Sequence, residues 1–144
     1  MSAVVRIAGY VSRFDSVDRG GDVVRRGAFA EVKAGVPLLW QHDVTRPVGR
    51  VESLSEDARG LRMVAAVAAD SAGGAEALAL VRGGAVTGLS FGYRVKRARG
   101  LPGGGRELLK LELIECSIVT LPMQDAARIG AVEGVDGAEV ERLA

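Results

Sequence analysis

Apolar and polar positions alternate along much of this chain, and the places where the alternation breaks divide it into elements. The opening run VVRIAGYVSRF, residues 4–14, keeps period two and predicts a strand. DSVDRGGDVVRRGAF, which follows it, is polar, charged and glycine-rich, the composition of a loop. GAFAEVKAG, residues 27–35, predicts a short helix closed by glycine. PLLWQHD and PVGRVESL predict two strands separated by a Thr-Arg-Pro turn, because proline belongs at an edge or a strand start. EDARG then turns the chain into the strand LRMVAAVAA. Asp70 and Ser71 offer side-chain oxygens to cap a helix over GGAEALALVR, which Gly83 and Gly84 end.

Period two returns in AVTGLSFGYRVKRAR, breaks at GLPGGG and resumes in RELLKLELIECSIVTLP, the pattern of a long antiparallel hairpin. The last stretch, AVEGVDGAEVERLA, is acidic and weakly patterned. The expected organisation is one domain over residues 1–130 and an acidic tail over 131–144, mobile or self-cleaved. About six or seven strands with a few helices place the fold in the α+β class, as a closed or partly open antiparallel β-barrel with helices packed outside.

At 144 residues the chain supports one compact core and is too short for two ordinary ones. With 19 Lys+Arg against 18 Asp+Glu, its net charge of +1 is no footprint for wrapping nucleic acid or a membrane surface. No apolar run approaches the roughly 18 residues that span a bilayer, and the start lacks the pattern of a secretory signal, so a cytosolic address is expected. The basic run RVKRARG reads as a solvated hairpin end, since it has neither a phosphate-loop signature nor interleaved aromatics. One cysteine, Cys116, excludes an internal disulfide, and one histidine, His42, excludes a nitrogen-and-sulfur zinc site. No cofactor or metal is expected.

The stretch TGLSFGYRV carries G-x-S-x-G around Ser90, the written form of a nucleophile elbow. An elbow needs a helix after the serine, with the acid and histidine following in the chain. Here the strand rhythm continues through FGYRVKR, and the histidine lies upstream. Read as a strand, Gly88, Ser90 and Gly92 share a face, leaving an open groove suited to an extended peptide. An ordinary serine beside a bulge is the alternative. A serine needs a base near its hydroxyl, and the one side chain suited to that near neutrality is His42. His42 reads equally as an exposed loop residue or as one packed beside Trp40. On the returning strand, Glu115 interrupts the face shared by Leu111, Leu113 and Val119, where a carboxylate is costly unless paired. With the hairpin tip between Pro102 and Gly103, Ser90 falls opposite Glu115, and a histidine arriving from PLLWQHD fits between them. A salt bridge to Arg94, Lys96, Arg97 or Arg99 is the alternative for Glu115.

Taken together, GYVSRFDSVDRGGDVVRRGAF, PLLWQHD with PVGRV, GLSFGYRV and LELIECSIVTLPM resemble, in order and spacing, the prohead proteases of tailed bacteriophages over roughly residues 4–128. That family is similar to herpesvirus assemblin, a serine protease on a seven-stranded β-barrel surrounded by helices. The resemblance implies Ser90 as nucleophile and His42 as general base. In the herpesvirus enzymes a second histidine holds the third place; the corresponding strand here reads ECSIV, making Glu115 the candidate. It further implies cleavage of the major capsid protein or of a scaffold segment inside the assembling procapsid, in the cytoplasm of a bacterial host, often followed by self-cleavage. Self-association is left open. Where the herpesvirus enzymes carry an arginine-rich oxyanion segment this chain reads TLPMQDAAR, with Arg128 a distant candidate beside backbone amides. A catalytically silent capsid assembly factor of the same fold, or an unrelated β-barrel binding module, is the competing reading.

Overall fold

The computed structural model describes residues 3–133. Eight strands and one helix make up the described residues: β1 (Val4–Arg13), β2 (Asp22–Val24), β3 (Pro37–Trp40), β4 (Asp43–Glu56), β5 (Gly60–Ala68), α1 (Ala72–Arg82), β6 (Gly88–Gly100), β7 (Arg106–Val119) and β8 (Ile129–Val132). The strands form one curved sheet in the order β2-β7-β3-β4-β5-β1-β8, with β6 paired to the other edge of β7. The predicted hairpin is β6 and β7, and the predicted capped helix is α1. Ser71 is its N-cap, accepting from Gly74 N–H at 2.9 Å, and the helix closes at Gly83.

Three expectations change. The sheet is not purely antiparallel, because β2 and β3 both run parallel to β7. Nor is it a closed barrel: the ladder ends at β8, and the gap to β6 is crossed by an isolated Gly88–Arg128 bridge, with Leu89 N–H donating to Ala127 O and Ile129 N–H to Thr87 O, both at 2.9 Å. Residues 27–31 form turns rather than the predicted short helix, and Ala28 and Phe29 drop into the core. Too few residues separate Gly27 from Gly35 for helical hydrogen bonds to offset the nucleation cost. Phe29 instead packs edge-on to Phe91 of β6, with ring centroids 5.3 Å apart. The boundary placed at residue 130 falls inside β8, and residues 134–144 of the expected tail lie outside the described residues.

One apolar cluster fills the concave side of the sheet. Ile7 and Val11 of β1, Met63 and Val67 of β5, Leu89 of β6 and Ile118 of β7 meet there, joined by Ala77, Leu78 and Val81 of α1. These side chains alternate along their strands, the period-two pattern expected where one face is buried. The second half of β7 is buried at every residue from Glu115 to Val119, and there β6 and β3 pair with its two edges. Any polar side chain in that half must find a partner inside the protein. Among the described residues, no helix is long and apolar enough to cross a membrane.

Candidate active site

The polar side chains of buried β7 are Glu115, 5% exposed, and Ser117, fully buried. Their partner arrives from the turn between β3 and β4. Trp40 pairs with Asp43, so Gln41 and His42 form a two-residue hairpin loop, and both have positive φ, 55° and 60°. Such a loop matches the twist of its strands but favours Asn-Gly, since side chains in the left-handed region cost roughly 1 kcal/mol or more each. The sequence carried no such signature, so the predicted Thr-Arg-Pro turn is corrected: residues 44–46 bulge within β4, between the pairs Trp40–Asp43 and Leu39–Pro47.

This turn is tied to the end of β7. Gln41 N–H donates to Ile118 O at 2.9 Å, Gln41 Nε2 donates to Thr120 Oγ1 at 2.6 Å, and Thr120 N–H returns a bond to Gln41 Oε1 at 3.1 Å. His42 N–H donates to Ser117 Oγ at 3.1 Å. So anchored, His42 turns its Nδ1 onto the Glu115 carboxylate, at 2.8 Å from Oε2 and 3.2 Å from Oε1. Ser117 Oγ–H donates to Glu115 Oε1 at 2.5 Å. The buried carboxylate therefore has two donors, which meets the requirement that a buried charge be paired. The candidate arginine partners lie elsewhere: Arg94 and Lys96 face Glu112, and Arg99 faces Glu107.

Ser90 sits on β6, 7% exposed. It lies opposite Ser117, while Glu115 lies opposite Gly92, so the predicted Ser90–Glu115 register is corrected by two residues. The hairpin tip is centred on Gly103, which accounts for one residue, and the slip at Gly92/Tyr93 accounts for the other; the two slips between Val95 and Ala98 cancel. Ser90 and Glu115 are therefore diagonal neighbours on one face rather than directly opposed. Ser90 and His42 line the same cavity, of about 90 Å³, walled by Val11, Leu89, Phe91 and Met123. A larger cavity of about 920 Å³ lies against residues 31–36, near the outer part of the hairpin, and contains none of the three residues.

The two glycines beside Ser90 have a different use from the one predicted. A Cβ on Gly92 would lie 2.6 Å from Glu115 Oε2, and one on Gly88 would lie 2.7 Å from Val119 O and 2.8 Å from Pro122 Cδ. The space they clear is filled by the protein itself.

The hydrogen bond that His42 donates to Glu115 raises the His42 pKa above the ordinary histidine value of 6.5; burial opposes this and the carboxylate's charge reinforces it. Burial pushes the Cys116 thiol well up, which leaves it protonated and inert. Arg128 donates to Thr87 Oγ1 at 3.1 Å and to Asp125 O at 2.8 Å, commitments that tie it to the loop before β8. Gln41 and Thr120 escaped the sequence reading altogether, and Ser117 had no signal beyond sharing a face with Glu115. Among the described residues, no group of three or more His, Cys, Asp or Glu side chains is placed to hold a metal ion.

The arrangement is a serine and a histidine on one cavity, with a buried carboxylate on Nδ1 of the imidazole. The fold carrying it is similar to that of a KSHV protease solved with a hexapeptide phosphonate inhibitor, with a TM-score of 0.66 at 13% identity, covering 97% of this chain and 69% of that one. A second KSHV protease structure matches with a TM-score of 0.53 at 14% identity, over 92% of this chain and 62% of the other. By sequence, the chain is 33% identical over 141 residues to the prohead protease of Enterobacteria phage HK97, covering 93% of this chain and 63% of that protein. It is 30% identical over 138 residues to a capsid polyprotein of Pseudomonas phage PAJU2, covering 91% of this chain and 20% of that one. The chain thus spans less than two thirds of the length of either relative. The profile of the caudovirus prohead serine proteases matches residues 2–141, nearly the whole sequence. The chain belongs to the caudovirus prohead serine protease family.

Proposed function

We propose that this protein is a serine endopeptidase that cleaves capsid or scaffold protein during maturation of a phage or phage-like prohead. The observation that carries the reading is the buried Glu115 carboxylate held on His42 Nδ1 while the same histidine shares a cavity with Ser90. A carboxylate accepts but cannot donate, so the proton of the neutral imidazole sits on Nδ1 and Nε2 is left as the base. The raised His42 pKa makes Nε2 a stronger proton acceptor.

In this mechanism, Ser90 Oγ attacks the peptide carbonyl carbon as its proton passes to His42 Nε2. The resulting imidazolium is stabilised by Glu115. The imidazolium then gives its proton to the departing amine, and the C–N bond breaks to leave an acyl-serine. Water, deprotonated by the same nitrogen, attacks the ester, and Ser90 recovers its proton as the new carboxyl terminus leaves. The HK97 relative is named a prohead protease and the PAJU2 relative a capsid polyprotein, which supports capsid protein as the substrate and the procapsid interior as the place of action.

The test is the intact mass of a capsid protein from the same phage or prophage, co-expressed with wild type and with Ser90→Ala. Trimming by wild type and none by the variant is expected. Trimming by purified Ser90→Ala overturns the assignment of the nucleophile. Capsid assembly that depends on the protein without any trimming indicates an assembly factor.

A further inference from the structure

His42 is placed by a backbone conformation that the chain does not favour on its own. Two consecutive residues with side chains hold positive φ; histidine enters that region more readily than most residues, but glutamine does not, and neither is glycine. Position 42 must carry the imidazole, so the usual Asn-Gly solution is closed to this turn. Something else has to hold it. The parallel ladder between β3 and β7 ends at Trp40 opposite Ile118, and the Gln41 N–H bond to Ile118 O completes it. Beyond that point the Gln41 side-chain amide takes over, donating to Thr120 Oγ1 and accepting from Thr120 N–H as another strand's backbone would. One residue on, Ser117 Oγ accepts from His42 N–H and donates to Glu115 Oε1, so one buried hydroxyl fixes both ends of the His42–Glu115 pair.

We propose that Gln41, Thr120 and Ser117 are positioning residues that hold His42 in its left-handed turn against Glu115, so that the general base is set before substrate arrives. The proposal rests on the protease reading above, and it extends it to three residues that lie outside the cavity. Gln41 and Thr120 are exposed, and neither adds to the core. Two reciprocal bonds on an exposed pair at the catalytic turn are better accounted for by geometry than by stability, because such a pair in water contributes little to folding.

Thr120 offers a clean test. Thr120→Val keeps shape and branching but removes the acceptor for Gln41 Nε2, whereas Thr120→Ser keeps the acceptor. Gln41→Ala removes both side-chain bonds. His42 is the chain's one histidine, so its imidazole titration is read unambiguously by NMR in the full-length protein, with no need for a substrate. The charged and titratable groups near it are Glu115 from β7, Asp18 from the loop after β1 and Tyr93 from β6, with Asp43 next in the chain. None is altered by these variants.

The expected result is a His42 titration midpoint that moves down in Gln41→Ala and in Thr120→Val, and stays in place in Thr120→Ser. Labelling of Ser90 by an alkyl fluorophosphonate should slow about tenfold or more in Gln41→Ala, and less in Thr120→Val, as misplacement of a base by a fraction of an ångström requires. Ser117→Ala should lower both readouts further. An unchanged midpoint and labelling rate in Gln41→Ala overturns the positioning role. If wild type is not labelled at all the protease reading fails, but the NMR titration still decides whether the clasp holds His42 on Glu115.

Discussion

Gly92 and Glu115 face each other across the β6–β7 hairpin, and the Cβ that Gly92 lacks would lie 2.6 Å from the Glu115 carboxylate. The glycine is therefore part of the carboxylate's site. The same carboxylate is what holds His42 and raises its pKa.

Gly92→Ala separates the fold from the catalytic geometry. The atoms in the way are the far end of a flexible side chain, so Glu115 can swing aside at modest cost to the fold. The expected outcome is a melting temperature within a few degrees of wild type and a fluorophosphonate labelling rate about ten- to a hundredfold lower. Differential scanning fluorimetry and labelling kinetics on one preparation check both halves.

Glu115→Gln tests the electrostatic part of the site. The Glu115 hydrogen bond is the largest cause of the raised His42 pKa, and with it gone burial is left to lower the value. The neutral base then appears at lower pH, so the rising limb of the pH–rate profile moves down while its plateau falls about a hundredfold or more. Stability follows with a definite sign. A pKa raised in the folded state contributes stability that is complete below about 6.5 and is lost as pH rises through the folded value. The gap in melting temperature between wild type and Glu115→Gln should therefore be widest near about pH 5.5 and narrow at about pH 8.5. A gap that widens with rising pH contradicts the pair.

Much of this architecture was legible in the alternation of the chain, and the exceptions share a cause. The longer strands, the capped helix and the β6–β7 hairpin announce themselves by local pattern, as Ser71 and Gly83 do at the ends of α1, whereas β2, inside the stretch read as a loop, and β8, at the expected tail boundary, do not. Glu115 stood out because a carboxylate on a leucine face needs a partner. The Gln41-His42 turn left no trace, since it lacks the Asn-Gly or Asp-Gly signature of such loops and is held by Ser117 and Thr120 from the distant end of β7. The register failed for a related reason: the slip at Gly92/Tyr93, which leaves Ile114 of β7 unpaired, depends on tertiary fit and moves Ser90 relative to Glu115 without a signal in the sequence pattern. The parallel β3–β7 contact, which brings His42 to Glu115, joins segments too far apart in sequence for any local rule to pair.

Cys116 lies between Glu115 and Ser117 and is fully buried, with its thiol pKa pushed up by burial. It is expected to play no part in the chemistry. Iodoacetamide at neutral pH should leave both activity and intact mass unchanged in the native protein, and alkylate Cys116 only after denaturation. Inactivation that tracks alkylation of the native protein would contradict the nucleophile's role proposed for Ser90.

The seam between β1, β8 and β6 brings Ser90's strand to the far end of the sheet, and Gly9 is its tightest point. A Cβ there would lie 2.2 Å from Arg128 O and 3.0 Å from Leu89 Cδ1. The first obstacle is backbone, which cannot step aside as a side chain can. Arg128 is also the residue whose isolated bridge to Gly88 spans the gap that the ladder leaves open. Gly9→Ala should therefore push β8 off β1 and loosen the start of β6, at a cost of about 1–3 kcal/mol. In a domain of this size that lowers the melting temperature by roughly 3–10 °C, measured by scanning calorimetry. Amide exchange should speed up at Leu89 and Ile129, whose N–H groups donate across the seam to Ala127 O and Thr87 O, while the Gln41–Thr120 clasp on the opposite side of β7 stays protected. Loss of protection spread evenly over all strands would instead mean that the seam has no local independence and that the sheet opens as one unit.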